Sequence, residues 1–134
     1  MTNAQENTSI QSTIIGLEKA AFVRWSQGDP TGFLEISAPD VVYFDPFLER
    51  RLNGLEELTK LYLPLKGQFH SEHYEMLDPL VQATEKMAVL TFNFNSEVGG
   101  KIQKWNCTEV YRLEADGKWK IIQTHWSLTR PVLK

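Results

Sequence analysis

Cysteine is scarce in this chain, which has one, Cys107, among 134 residues. A single thiol cannot form a disulfide within the chain, and its presence fits a reducing compartment. Long apolar runs are also missing, since no window approaches the roughly 18 apolar residues that a membrane span needs. Residues 1–11 contain neither the basic nor the apolar segment of a secretory signal. We therefore expect a cytoplasmic protein without a membrane partner.

An excess of charge of one sign is lacking, and so are the common catalytic motifs. The 14 Lys and Arg and 17 Asp and Glu leave a net charge of −3, which does not predict a nucleic-acid partner. No nucleophile elbow, phosphate-binding loop or zinc-ligand spacing is present. His70 and His73 lie three residues apart at the start of a predicted strand, which places them on opposite faces. We predict neither a metal site nor a cofactor.

The first half of the chain has helical periodicity. A capping box of Thr8 and Gln11 predicts the start of a first helix, which Gly28 ends. Its apolar residues recur three or four positions apart, at Ile10, Ile14, Leu17, Ala21 and Trp25. Three further elements are predicted: a short helix begun by Asp29-Pro30, a strand over residues 41–44, and a helix capped by Asn53 and Glu56 and ended by Pro64.

The second half changes to a period of two, which is typical of strands. Long strands are predicted over residues 71–84, 87–97, 101–114 and 118–128. Gly99-Gly100 and Asp116-Gly117 lie where two-residue hairpin turns need positive φ. Helices followed by a meander predict a single α+β domain over residues 1–134, with residues 1–8 flexible. In it a curved, cone-shaped antiparallel sheet wraps around the N-terminal helices.

The two turns predict which side chains share a face of the sheet. The predicted opposite pairs are Glu109 with Thr124, Cys107 with Trp126, Tyr111 with Ile122, and Phe92 with Cys107. The face toward the helices would then carry Leu90, Phe92, Phe94, Trp105, Cys107, Glu109, Tyr111, Leu113, Ile122, Thr124, Trp126 and Leu128. A three-residue loop with a bulge would instead shift the register by one residue and exchange the faces. The outer face, with Val110, Trp119 and Ile121, is predicted to form a homodimer interface.

Two carboxyl groups lie among apolar neighbours. Glu109 is the one charged side chain on the predicted inward face, where burial raises the pKa of a carboxyl group. Its alternative place is near the sheet edge, hydrogen-bonded to Thr124 or reaching water. Asp45 ends the first predicted strand on the face of Tyr43. Its alternative role is that of a turn residue before Pro46.

A resemblance to a known superfamily covers nearly the whole chain. The sequence resembles the nuclear-transport-factor-2-like superfamily, which includes ketosteroid isomerase, scytalone dehydratase and the SnoaL-like polyketide cyclases. The residues that carry this resemblance are Gly28-Asp29, Asp40, Val41-Val42-Tyr43-Phe44-Asp45-Pro46, Gly54 and Leu61-Tyr62. The segment 119–127 is also similar to the association domain of calcium/calmodulin-dependent kinase, an oligomerisation module. Both resemblances imply a cystatin-like roll around a hydrophobic pocket.

The resemblance to ketosteroid isomerase also implies roles for the two carboxyl groups. Asp45 matches the catalytic base, and Glu109 matches the neutral carboxyl group of the oxyanion hole. The position of the oxyanion tyrosine is Ala21, which has no donor, so steroid isomerisation itself is not implied.

Two functions follow as hypotheses. The first is a cofactor-independent isomerase, dehydratase or cyclase that acts on a small hydrophobic carbonyl compound through Asp45 and Glu109. Its small apolar or aromatic ligand would contact Tyr43, Tyr62, Phe92, Trp105, Cys107, Thr124 and Trp126. The alternative is a non-catalytic module for small-ligand binding or dimerisation.

Overall fold

Strands from both halves of the chain share one sheet, and helices pack against it. The structure, a computed structural model, describes residues 3–130, with side chains from residue 9 onward. In chain order the elements are α1 (Asn3–Ser26), α2 (Thr31–Glu35), β1 (Ser37–Phe44), β2 (Leu52–Asn53), α3 (Leu55–Tyr62), a 3₁₀ turn (Leu63–Leu65), β3 (Tyr74–Ala83), β4 (Met87–Val98), β5 (Lys101–Leu113) and β6 (Trp119–Leu128). The strand order is β2-β1-β6-β5-β4-β3. This architecture confirms the predicted α+β class.

The four long strands of the second half occur where the period of two predicts them. Consecutive strands from β3 to β6 pair antiparallel. The first strand departs from the prediction of a purely antiparallel sheet, because β1 joins the edge of β6 in parallel. This pairing sets Tyr43 beside Thr124, so the end of β1 reaches the inward face of the meander. Asp45 follows directly and is therefore carried to the same end of the sheet.

The hairpin between β5 and β6 combines both of the turn geometries considered above. The pairs Glu109 with Thr124 and Cys107 with Trp126 form as predicted. Nearer the turn, however, Tyr111 pairs with Ile121 rather than with Ile122. The loop spans residues 115–117, since Glu114 N–H donates to the Lys118 carbonyl at 2.9 Å. Because the three-residue loop and a bulge at Ile122 each shift the register by one residue, their effects cancel along the rest of the hairpin.

The bulge corrects the predicted faces near the turn. Ile121 is 1% exposed and belongs to the core, and Trp119 packs against that core. The prediction that both residues lie on the outer dimerisation face is therefore wrong. The predicted pairing of Ile122 with Tyr111 is wrong too, since Ile122 is the additional residue of the bulge and is not among the residues that pack against the core.

The helix ends differ from their predicted caps in three places. Helix α1 begins at Asn3 rather than at Thr8, and the predicted flexibility of residues 1–8 lies outside the described side chains. Helix α2 begins at Thr31 with Pro30 rather than Asp29 as its N-cap, although Asp29 Oδ1 accepts from the Thr31 N–H at 2.9 Å. At α3 the N-cap is Gly54, and Glu57 rather than Glu56 reaches back to the Asn53 N–H, at 3.2 Å. Helix α3 ends at Tyr62, as Pro64 predicts.

The core is built around the aromatic side chain of Phe22 on α1. Its ring stacks on Phe94 at a centroid distance of 4.3 Å and meets Phe33 and Phe92 edge-on at 5.0 and 5.8 Å. Such contacts contribute beyond the burial of apolar area. Helix α1 is thereby attached to β4, and α2 is attached to α1. None of the described helices is long and apolar enough to span a membrane.

Replacement by alanine is expected to have opposite effects on stability at two glycines, Gly28 and Gly16. Gly28 has a φ of +85°, and a Cβ there would lie 2.8 Å from the Phe69 carbonyl oxygen, so Gly28→Ala is expected to destabilise the protein by about 1–2 kcal/mol or more. Gly16 lies within α1 with nothing near its Cβ position, so Gly16→Ala is expected to stabilise by about 0.5–1 kcal/mol. Urea unfolding of both variants measures the difference. A Gly28→Ala protein as stable as the wild type would contradict the strain described here.

Candidate functional site

A cavity of about 400 Å³ opens between the helices and the concave face of the sheet. Its wall is predominantly aromatic and includes Phe22, Trp25, Phe33, Tyr62, Trp105 and Trp126. Helix α1 supplies one side, α3 another, and β4, β5 and β6 the floor. Apolar cavities of this size hold small organic molecules. The cavity is therefore the candidate ligand site.

The structure divides the predicted site residues into two groups. Tyr43, Asp45, Tyr62, Trp105 and Trp126 line the cavity. The second group, buried but outside the cavity wall, consists of Phe92, Cys107, Glu109 and Thr124. Sequence reasoning placed the second group, together with Trp105 and Trp126, on the inward face of the sheet, but it did not separate the wall from the layer behind it.

Asp45 is the one charged residue on the described cavity wall. Its Oδ2 accepts a hydrogen bond from the Tyr43 hydroxyl at 2.9 Å. Its Oδ1 accepts from the Phe47 backbone N–H at 2.8 Å. Asp45 is thus a turn residue, as in the alternative interpretation, and it also lines the cavity. The two hydrogen bonds hold the carboxyl group in a defined orientation while each oxygen keeps a lone pair for a further partner.

Tyr43 and Tyr62 connect Asp45 to the inner end of the cavity. Their rings meet at 88° with centroids 5.6 Å apart. Burial, followed by the charge of Asp45, raises the pKa of Tyr43 above its usual range. Burial and then Tyr43 raise the pKa of Tyr62. Both phenols are therefore protonated at neutral pH and are hydrogen-bond donors.

The outer end of the cavity is formed by exposed aromatic surface. Phe47 is 73% exposed, and its ring meets Trp105 edge-on at 6.1 Å. Trp105 in turn meets Trp126 at 5.9 Å and 81°. These rings offer an apolar entrance next to Asp45.

A second polar cluster lies behind the cavity wall and includes a residue that sequence reasoning missed. Glu109 is fully buried, and so is Glu18 of α1. The Tyr111 hydroxyl donates to Glu18 Oε1 at 2.5 Å, and the Cys107 thiol contacts Glu109 Oε1 at 3.6 Å. The alternative place of Glu109 at an exposed edge is thus excluded. Its partner is Glu18 on the first helix.

Burial dominates the acid–base properties of this cluster. It raises the pKa of Glu18 from 4.5 to about 6. It also raises the pKa of Glu109 well above its ordinary value, and the neighbouring charge of Glu18 raises it further. The pKa of the Cys107 thiol is raised by burial and then by Glu109, so a thiolate role for Cys107 has no support.

One sequence signal could have identified Glu18. It lies four residues after Ile14 and four before Phe22, and both of these residues are buried. A residue at this spacing lies on the same helix face. A charged residue within an apolar helix face is as informative as Glu109 within an apolar strand face.

The position that matches the oxyanion tyrosine offers no replacement donor. Ala21 is 3% exposed, and its Cα lies 3.3 Å from where a Cβ on Gly32 would be. The small side chains therefore allow α1 and α2 to approach closely. Any donor to a ligand must come from another part of the cavity wall.

Comparison with known proteins identifies similar sequences and folds. The SnoaL-like domain family matches residues 19–122. A protein from Parabacteroides distasonis ATCC 8503, provisionally assigned as a ketosteroid isomerase, is 49% identical, with 88% of this chain and 86% of that protein covered and a TM-score of 0.80. No curated protein matches the chain.

More distant solved structures share the fold alone. A protein of unknown function with a cystatin-like fold from Nostoc punctiforme is 16% identical, with a TM-score of 0.72 over 90% of this chain and 93% of that one. A provisionally assigned calcium/calmodulin-dependent kinase II association domain from Exiguobacterium sibiricum is 14% identical, with a TM-score of 0.68 over 90% and 93%. The predicted cystatin-like architecture is confirmed.

Proposed function

Since this chain belongs to the SnoaL-like domain family, we propose that it is a cofactor-independent isomerase, dehydratase or cyclase that acts on a small hydrophobic carbonyl compound. The observation that carries this proposal is the placement of Asp45 on the wall of an aromatic cavity, held there by two hydrogen bonds. A carboxylate in such a place can remove a proton from a carbon atom next to a carbonyl group. Further support comes from the similarity to the Parabacteroides protein.

Asp45 acts as the general base in this proposal. Tyr43 and the Phe47 N–H restrict its rotation, so its free lone pairs can be directed at a bound ligand. The aromatic wall excludes water from the reacting carbon and orients a flat molecule by stacking. After proton transfer, Asp45 can return the proton to another carbon or assist loss of a leaving group. Isomerisation and dehydration differ only in this second step.

The donor to the developing oxyanion is proposed to be Tyr62. Its side chain lines the cavity, and its raised pKa keeps its hydroxyl protonated. Glu109 lies outside the wall but close enough that its charged form, after burial and Tyr43, would raise the pKa of Tyr62. We assign Glu109 the role of a neutral acid behind Tyr62. A donor directed at the oxygen where charge develops stabilises the transition state more than the ground state.

The proposed ligand is uncharged. The described cavity wall contains no Lys, Arg or His, and its one charged group is the carboxyl of Asp45. An anionic ligand would therefore meet an acid without a compensating cation, in surroundings of low polarity. A neutral, flat carbonyl compound satisfies both the rings and the hydroxyl donors.

Hydrogen–deuterium exchange tests this function without knowledge of the natural substrate. The protein is incubated in D₂O with enolisable apolar ketones such as 1-tetralone and 1-indanone. NMR then follows deuterium incorporation next to the carbonyl group. Catalysed exchange supports the proposal. Binding of these ketones without exchange would favour the second candidate function below.

That second candidate is a non-catalytic module for ligand binding or assembly, and the outer face of the sheet favours it. A ladder of exposed amide and hydroxyl groups crosses this face, with Asn93 Nδ2 to Asn106 Oδ1 at 2.7 Å and Asn106 Nδ2 to Ser127 Oγ at 3.2 Å. We propose that this face forms a homodimer. Sedimentation at micromolar concentration is expected to show a dimer that Asn106→Lys weakens, while Lys101→Glu at the exposed start of β5 has no effect. A wild-type monomer under these conditions would rule out the dimer.

A further inference from the structure

The buried carboxyl groups of Glu18 and Glu109, here called the carboxyl pair, lack a cationic partner. Both side chains are fully buried, and they lie close enough that burial and then the charge of Glu18 raise the pKa of Glu109. The titratable groups that bear on them are Tyr111 and Cys107 on β5 and Tyr62 on α3. No described Lys, Arg or His contributes to the titration of either carboxyl group. An unpaired buried charge costs free energy of folding. The pair is therefore expected to bind enough protons to keep its net charge low.

Two unsatisfied oxygens define where a proton lies. Oε1 of Glu18 accepts from Tyr111, and Oε1 of Glu109 contacts the Cys107 thiol. Oε2 of each residue is buried without a donor among the described residues. Two ionised carboxylates next to each other repel strongly. With one proton between them, the protonated carboxyl group donates a hydrogen bond and the ionised one accepts it. A single shared proton therefore accounts for both unsatisfied atoms.

We propose that Glu18 and Glu109 share one proton at neutral pH and that Glu18 is a positioning residue, which keeps Glu109 uncharged behind the Tyr62 wall of the cavity. The negative charge stays on Glu18, next to the Tyr111 hydroxyl. Glu109 keeps the proton and leaves Tyr62 free of an adjacent anion. The second part of this inference rests on the proposed function, since it concerns the donor to the developing oxyanion.

The direction of each pKa shift indicates the pH range in which the carboxyl pair carries a single negative charge. Glu18, with its pKa raised to about 6, is ionised above that pH. Because its folded-state pKa lies above the ordinary 4.5, the stability it contributes is present at low pH and is lost as the pH rises from about 4.5 through 6. Burial and then the charge of Glu18 raise the pKa of Glu109 well above its ordinary value, and in this proposal Glu109 holds the remaining proton. The pair therefore carries one negative charge near pH 7, and the two steps belong to the pair as a unit.

Glu18→Gln separates a positioning role from a packing role. Gln keeps the shape of the side chain and an oxygen that can accept from Tyr111, but it has no charge and offers an amide donor to Glu109. Glu109 then loses its charged neighbour, and its titration midpoint in carboxyl ¹³C NMR is expected to fall by about one pH unit or more. In Glu109→Gln, Glu18 is expected to keep its midpoint near 6, because the amide introduced on β5 donates the same hydrogen bond. The exposed Glu56→Gln is the matched control, without effect on either midpoint.

The rate of ketone exchange gives the functional readout. In Glu18→Gln, ionised Glu109 lies behind Tyr62, so the rate is expected to fall roughly tenfold or more above the lowered midpoint. The double variant Glu18→Gln/Glu109→Gln has no carboxyl group left to titrate at these two positions. Its exchange rate is therefore expected not to change with pH through the range of the Glu109 midpoint. Loss of activity that is equal at every pH would show that Glu18 only fills space, and it would overturn the positioning role. Independent titration of both acids near their ordinary values in the wild type would overturn the shared proton.

Failure of the proposed function would be visible separately. If no ketone exchanges, the NMR midpoints still decide whether the proton is shared. The affinity of 2-naphthol, followed by tryptophan fluorescence, then replaces the exchange rate, because its hydroxyl oxygen accepts from the same donor. The affinities of Glu18→Gln and of the double variant for 2-naphthol are compared at a pH above the Glu109 titration midpoint. A weaker affinity of Glu18→Gln supports the positioning role, and equal affinities contradict it.

Discussion

Asp45→Asn is expected to lower the rate of ketone exchange by about 10²–10⁴-fold. The amide cannot take up a proton from carbon, yet it has nearly the shape of the carboxyl group. Its oxygen can still accept from the Phe47 N–H, and its amide group can donate to the Tyr43 hydroxyl. Ligand affinity is therefore expected to change little, so the loss should occur in kcat rather than in KM. Steady-state exchange kinetics by NMR, with fluorescence titration of the same ketone, measure both quantities.

Two companion variants make the Asp45 result specific. Glu49→Gln removes an exposed carboxyl group four residues further along the same loop, outside the described cavity wall, and should leave the rate unchanged. Tyr43→Phe removes the donor to Asp45 Oδ2 and should reduce the rate less than Asp45→Asn, because the base itself remains. Exchange by Asp45→Asn at the wild-type rate would remove Asp45 from the mechanism and leave the cavity as a binding site only.

Phe22→Ala is expected to destabilise the protein by about 3–5 kcal/mol. The ring is 3% exposed, stacks on Phe94 and also meets Phe33, Phe92 and Trp126. Its removal leaves a void that these rings cannot fill without moving α1. Because most domains are stable by only about 5–15 kcal/mol, a loss of this size is expected to lower the urea midpoint strongly.

Phe22→Leu is the matched control for packing. Leu keeps an apolar side chain of intermediate volume, so it should cost clearly less than Ala in the same urea experiment. Since Phe22 also lines the cavity, both variants should weaken ketone binding, and Ala more than Leu. Equal stabilities for Phe22→Ala and the wild type would show that α1 is not held to the sheet by this ring.

Local patterns were sufficient for the strands and for identifying Glu109 as a candidate buried acid. Alternation along β5, together with the Gly99-Gly100 turn, identified the inward face because each side chain's direction depends only on its own strand and its neighbour. The bulge at Ile122 was not predictable in the same way. It offsets a three-residue loop, and either feature alone would have turned Thr124 and Trp126 away from the face that carries Glu109.

The sequence by itself determined the α+β order, the long strands, the candidate acid at position 109 and the aspartate that directly follows β1. These depend on periodicity, turn residues and short-range pairing, which are local. Only the tertiary structure decided that Asp45 lines the cavity while Glu109 lies behind it, and that the partner of Glu109 is Glu18 on a helix at the other end of the chain. The Tyr111 to Glu18 hydrogen bond joins residues 93 positions apart, and no local pattern specifies which helix face meets which strand. That choice is made by the packing of the Phe22 ring against its aromatic neighbours and by the hydrogen bonds that two buried carboxyl groups require.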